Sequence, residues 1–151
     1  LFPDLSDWEG KILLLETSQE KPEPDDFKKM LQALKETGIF EVVSGLLVGK
    51  PMDETFYDDY KETLMDTIDS NIPIIYNLNV GHATPRAIVP FGVHAYVDAT
   101  EQVIRFDYNK ESWDEFLSFF YILKYFRYLY SLLTAFPFTI ILVVINQTCS
   151  L

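Results

Sequence analysis

Glu16 closes the apolar run Lys11-Ile12-Leu13-Leu14-Leu15, and His82 lies inside Gly81-His82-Ala83-Thr84-Pro85. A carboxylate at a strand end and an imidazole in a Gly/Pro-bounded loop are two of the three parts of a nucleophilic triad. A neutral imidazole can take a proton from a hydroxyl, while a carboxylate fixes its tautomer and stabilises the imidazolium. Glutamate can replace aspartate in that role. The two residues are 66 positions apart, so only tertiary folding can join them. By spacing alone the ordinary readings compete: a strand-end Glu is usually solvated or capping, and a lone loop His is usually a surface group.

The other polar candidates carry less chemistry. His94 is close to His82 in sequence, but two histidines with scattered acids do not make a metal site. A strand-end His beside a hairpin is its simpler reading. Asp53, Glu54, Asp58 and Asp59 could recognise a cation, yet such a run is usually a first helical turn stabilised by the helix dipole. Tyr76 and Asn77, at the end of an expected strand, are candidates to line a pocket. Gly45 to Lys50 lacks the spacing of a phosphate-binding loop. No cofactor is expected.

Acids outnumber bases 23 to 12, for a formal charge of −11. That balance argues against nucleic acid as a partner, because phosphate backbones need clustered Lys and Arg. The single cysteine, Cys149, excludes an intrachain disulfide and fits a reducing, cytoplasmic compartment. The first residue is Leu1, which implies that something upstream is missing. Leu1 to Gly10 is acidic and short of apolar residues, so no signal peptide is expected there. The 151 residues suffice for one domain with a sizeable core.

The elements that must position Glu16 and His82 follow from periodicity. Lys11–Thr17 reads as a buried strand. After Pro22 and Pro24, Asp25 is a plausible N-cap for a helix carrying Phe27, Met30, Leu31 and Leu34, which Gly38 closes. Val42–Val48 is a second strand. Thr55–Asp69 is a second helix with the stripe Tyr57, Tyr60, Leu64, Ile68. Pro73–Leu78 is a third strand. Ala95–Val97 and Gln102–Phe106 form a hairpin around Asp98-Ala99-Thr100-Glu101. The fold class is therefore α/β: a small, mostly parallel sheet with two crossover helices and a β-hairpin. In such sheets sites form at the carboxyl ends of strands, where both Glu16 and His82 fall.

In order along the chain stand Leu14-Leu15-Glu16-Thr17, Gly45-Leu46-Leu47-Val48-Gly49, Ile72-Pro73-Ile74, Gly81-His82-Ala83-Thr84-Pro85 and Val89-Pro90-Phe91-Gly92-Val93. Together they resemble the C-terminal domain of the LD-carboxypeptidase family of serine peptidases. The Glu-Thr pair and the Gly-His-x-x-Pro loop look most like its microcin C self-immunity branch. The resemblance covers about Trp8 to Phe106. It implies a swivelling β/β/α-type domain and a two-domain hydrolase with a Ser-Glu-His triad. Glu16 matches the triad glutamate and His82 the triad histidine. The serine belongs to an N-terminal domain, in a Gly-x-Ser-Asp turn.

That serine does not carry over. Ser6-Asp7 imitates half of the turn, but Leu5 precedes it and no Gly-rich strand-turn-helix surrounds it. Ser44 falls in an expected buried strand. The resemblance thus implies a fragment that contributes Glu and His to a serine carboxypeptidase and is inactive alone. Its substrate would be an L,D-muropeptide or a peptidyl-nucleotide antibiotic, its partner the missing N-terminal domain, and a homodimer is possible. The alternative is a non-catalytic binding or immunity-type module, or a degenerate gene product.

Residues 1–108 form the domain-like unit and 109–151 a separate apolar tail, read as helical. Tyr128 to Ile145 is an uncharged run of 18 residues interrupted by Pro137. Three readings stand, in this order: a non-native extension such as read-through or a shifted frame, a membrane span, and a helix docked on the domain. Only this tail would attach the chain to a membrane. Lys124 and Arg127 before it would keep the domain on the cytoplasmic side.

Overall fold

A computed structural model describes residues 4–17, 19–69, 71–90, 93–98, 100–107 and 140–147. Strand β1 (Ile12–Thr17) is buried along its whole length. Strand β2 (Gly45–Gly49) pairs with it in parallel, from Ile12 opposite Gly45 to Leu15 opposite Val48. Strand β3 (Ile74–Leu78) pairs in parallel with β2, with a register shift between Leu47 and Gly49. Helix α1 (Pro24–Glu36) and a single turn α2 (Ile39–Val42) connect β1 to β2, and α3 (Tyr57–Thr67) connects β2 to β3. The hairpin is β4 (His94–Asp98) and β5 (Val103–Asp107), antiparallel throughout.

The helix boundaries differ from expectation for local reasons. Asp25 is not the N-cap of α1; Glu23 occupies that position. Pro24 has a fixed φ and no N–H to satisfy, so it takes the first helical position and pulls the start back. Asp25 and Asp26 then lie in the first turn, where the dipole favours their charge. Gly38 has φ +79, the left-handed conformation expected after α1. The second strand starts at Gly45 rather than Val42. Ile39, Phe40 and Val43 are all buried, and that spacing suits a helical turn better than the two-residue alternation of a strand.

The sheet has apolar cover on both sides, as parallel strands require. Leu13 and Leu15 of β1 join Leu46, Val48, Phe27, Leu31, Tyr60 and Leu64 on the helix side. Ile12 and Leu14 face the other way, with Leu47, Val80 and Ala95. Because side chains alternate along a strand, Glu16 belongs to the face of Ile12 and Leu14, away from the helices.

The strand order is β3-β2-β1-β6-β4-β5, where β6 (Ile140–Gln147) comes from the tail. It runs antiparallel to β1, from Thr17 opposite Ile140 to Ile12 opposite Ile145, and parallel to β4. Over 140–147 the tail is therefore a strand and not the expected helix. Its run of β-branched residues favours the extended backbone, and β1 offers it a full edge of unpaired hydrogen-bonding groups. Residues 109–139, on which the readings of the tail mostly rest, lie outside the described residues. Among the described residues no helix is long and apolar enough to cross a membrane.

Candidate active site

The carboxyl ends of β1 and β2 form the floor of the site. Glu16 emerges there from a strand whose preceding residues are sealed in the core, leaving its side chain only 11% exposed. The chain leaving β3 then folds back over this floor. Lys50 N–H and Val80 N–H both donate to the Leu78 carbonyl, at 2.7 and 2.8 Å, pinning the start of the loop to the end of β2. Val80 is buried against Gly49; a Cβ on Gly49 would stand 3.2 Å from Val80 Cγ2.

Gly81 follows with φ +75 and turns the chain so that His82 faces Glu16. Ala83 is buried on the far side of His82, and Ala87 N–H closes the loop onto the Asn79 carbonyl at 2.6 Å. Arg86 Nε donates to the Ala83 carbonyl at 3.3 Å, and the Thr84–Pro85 peptide is cis. The loop segment that carries His82 is thus anchored before and after it by the buried residues Val80 and Ala83.

His82 Nδ1 and Glu16 Oε1 are hydrogen-bonded. An ionised carboxylate can only accept, so this bond assigns the ring proton to Nδ1 and leaves the Nε2 lone pair as the acceptor. The His82 side chain is 34% exposed, so the ring retains access to solvent while the carboxylate behind it is largely shielded. Such a pair can accept a proton at Nε2 and stabilise the resulting imidazolium.

Neither serine considered from the sequence is near this pair. Ser44 N–H bonds to the Lys11 carbonyl, which places Ser44 at the amino ends of β1 and β2, opposite Glu16. Some four to five strand residues, about 15 Å, separate the two ends. Ser6 sits exposed in the 3-10 turn Leu5–Asp7. Tyr76 does not offer its hydroxyl to the site: it donates to the Tyr57 carbonyl at 2.8 Å, with the two rings 5.0 Å apart. Burial is the main cause that holds the Tyr76 phenol well above its ordinary pKa. Asn77 is exposed, in a left-handed conformation.

His94 is exposed on β4, where it lines a hollow of about 260 Å³ with Ala95, Tyr96, Arg105 and Asp107. Of the acidic run, Asp53 pairs with Lys21 at 2.6 Å and Glu54 with Lys50, while Asp58 and Asp59 lie in the first turn of α3. Among the described residues no three His, Cys, Asp or Glu converge as metal ligands. Val80 carries no mark in the sequence beyond being a lone apolar residue between Asn79 and Gly81, yet it anchors the loop.

A family model described as the LD-carboxypeptidase C-terminal domain matches residues 1–97. Among solved structures, the chain is similar to an MccF-like protein from Streptococcus pneumoniae, crystallised in complex with AMP. The two are 84% identical, with a TM-score of 0.69, over 73% of this chain and 32% of that one. The chain therefore spans about a third of that protein's length. No curated protein matches it.

Proposed function

The chain belongs to the LD-carboxypeptidase family, as a carboxypeptidase-type C-terminal domain, and on that premise we propose that Glu16 and His82 are two members of a Ser-Glu-His triad that cleaves an amide bond. The observation that carries the reading is the Nδ1 bond to a shielded carboxylate beside a partly exposed ring.

In this mechanism a serine from the N-terminal domain approaches His82 Nε2. The ring takes the hydroxyl proton as the oxygen attacks the amide carbonyl. It then gives that proton to the departing amine, leaving an acyl-enzyme that water hydrolyses with His82 again as base. Glu16 keeps the ring in the productive tautomer and stabilises the imidazolium. Because Ser6 and Ser44 lie elsewhere, the chain by itself is expected to be inactive. A cytoplasmic setting agrees with the lone cysteine, and self-association agrees with a site open on one side.

Both substrate classes, L,D-muropeptides and peptidyl-nucleotides, present an amide to such a triad. The AMP held by the MccF-like protein supports the nucleotide class. The test is to fuse the serine-bearing domain to this chain and assay both substrates, then replace His82 by Ala. A loss of about 10³-fold or more is expected. Full activity in the His82→Ala fusion removes His82 from the mechanism, and an inactive parent fusion favours a binding or immunity-type module instead.

A further inference from the structure

The residue before the histidine is where the site is most tightly constrained. Gly81 approaches Glu16 so closely that a Cβ built on it would overlap the carboxylate, falling on Cδ and both oxygens. Its φ of +75 is a second, separate reason for glycine, since side-chain-bearing residues rarely adopt it. Gly10 and Gly38 also have positive φ, but a Cβ on them would meet only Ser44 Oγ at 3.8 Å and Leu5 Cδ1 at 3.3 Å. Among the described glycines, only at Gly81 does the missing side chain coincide with the carboxylate bound to the imidazole.

We propose that Gly81 is a positioning residue for the Glu16–His82 pair. Its bare Cα is the surface against which the carboxylate rests, and any side chain there drives Glu16 off His82 Nδ1. The physical argument is steric and local. Glu16 projects from β1, which is buried and paired on both edges, so its backbone cannot retreat. Val80, on the other side of Gly81, is buried against Gly49, so the loop cannot lift without exposing it. With both backbones fixed, the carboxylate must rotate away, and Nδ1 loses its acceptor. His82 then has no reason to keep its proton on Nδ1.

The inference deepens the proposed function, because it names what sets the tautomer that the general base needs, but its test does not depend on catalysis. The chain has two histidines, so His94 is an internal control. Two-bond nitrogen–proton correlation spectra of the full ¹⁵N-labelled chain report which ring nitrogen of each carries the proton. The parent should show the Nδ1–H form at His82. Gly81→Ala and Gly81→Asn should both lose it, with His94 unchanged. Asparagine tolerates positive φ, so its variant separates the overlap from the backbone strain.

Retention of the parental His82 signal in Gly81→Asn overturns the proposal, as does its absence from the parent. Should a variant fail to fold, the same change is made in a Glu16→Ala background, where no carboxylate remains to be struck. Recovery of folding there supports the proposal, and continued failure overturns it, because strain alone then explains the glycine. In the fused enzyme Gly81→Ala should lower kcat about 10²-fold with KM little changed, as expected for a misplaced catalytic group. If His82→Ala leaves the fusion active while Gly81 variants still shift the tautomer, the catalytic reading fails and the positioning inference stands.

Discussion

Glu16 meets His82 Nδ1 across 66 positions of sequence, a buried strand end joined to a loop imidazole that is about one-third exposed. One hydrogen bond, with a net worth of about 1 kcal/mol, does not close such a span. Burial of Val80 and Ala83 on either side of Gly81-His82 does that, and the bond selects the ring orientation once the loop is down.

In the fused enzyme, Glu16→Gln should reduce kcat by about 10²–10⁴-fold while KM changes little. The amide still fills the space, but it brings no negative charge to the imidazolium and can donate a proton to the wrong ring tautomer. Steady-state kinetics decide; a variant with parental kcat removes Glu16 from the triad.

Tyr60 donates its hydroxyl to the buried Pro22 carbonyl and packs against Phe27, the two rings tilted by 35° with centroids 4.4 Å apart. Tyr60→Phe keeps the ring and strands the carbonyl, so urea unfolding should show a loss of about 1–3 kcal/mol. Burial, helped by the charges of Glu23 and Asp59, holds the phenol well above its ordinary pKa of 10.0. A raised folded pKa means the folded state keeps its proton longer than the unfolded one. The stabilisation is therefore complete below about pH 10 and lost as pH rises beyond it. Tyr60→Phe should flatten that alkaline decline.

Asp98 ends β4 and caps the hairpin turn, its Oδ1 accepting from Thr100 N–H at 3.0 Å and Glu101 N–H at 2.9 Å. The Glu101 N–H is the main cause that lowers its pKa below the ordinary 3.8. A depressed folded pKa places the turn's stabilisation above 3.8, lost as pH falls through the lower folded value. Protection of the Thr100 and Glu101 amides against hydrogen exchange, measured relative to their intrinsic rates at each pH, should fall on acidification. In Asp98→Ala that protection should already be lost at neutral pH.

Strand β6 covers the open edge of β1 along six paired residues. Val143 stands opposite Leu14 in the middle of the paired run, where the fixed φ and missing N–H of a proline disfavour a strand flanked on both edges. Val143→Pro should therefore expose the β1 edge and shift the chain toward dimers or larger species, read by size-exclusion chromatography with light scattering. An unchanged elution profile and melting temperature would show that β6 is dispensable.

Much of this architecture is written locally. The apolar run before Glu16, the spacing of Phe27, Leu31 and Leu34, and the stripe Tyr60-Leu64 each state a strand or helix period, so the order β1, α1, β2, α3, β3 and the hairpin could be read directly. So could the placement of Glu16 and His82 at one edge, since parallel strands put their carboxyl ends together. The chain departs from its local signals where two of them compete. Asp25 has the chemistry of an N-cap, but Pro24 takes the first turn; Val42 favours a strand, but it ends the helical turn that buries Ile39 and Phe40, and the extended chain resumes only at Val43.

Three features needed the folded chain. The overlap of Gly81 with the Glu16 carboxylate depends on the height at which one loop crosses one strand, and no residue type encodes that height. Val80 becomes an anchor only because Gly49 leaves a space beneath it. Strand β6 pairs with β1 through backbone groups that are the same in every residue, so the sequence of 140–147 announces an extended segment without naming its neighbour. Periodicity along a chain reports what each segment buries; which segments then touch is settled by the geometry of the whole.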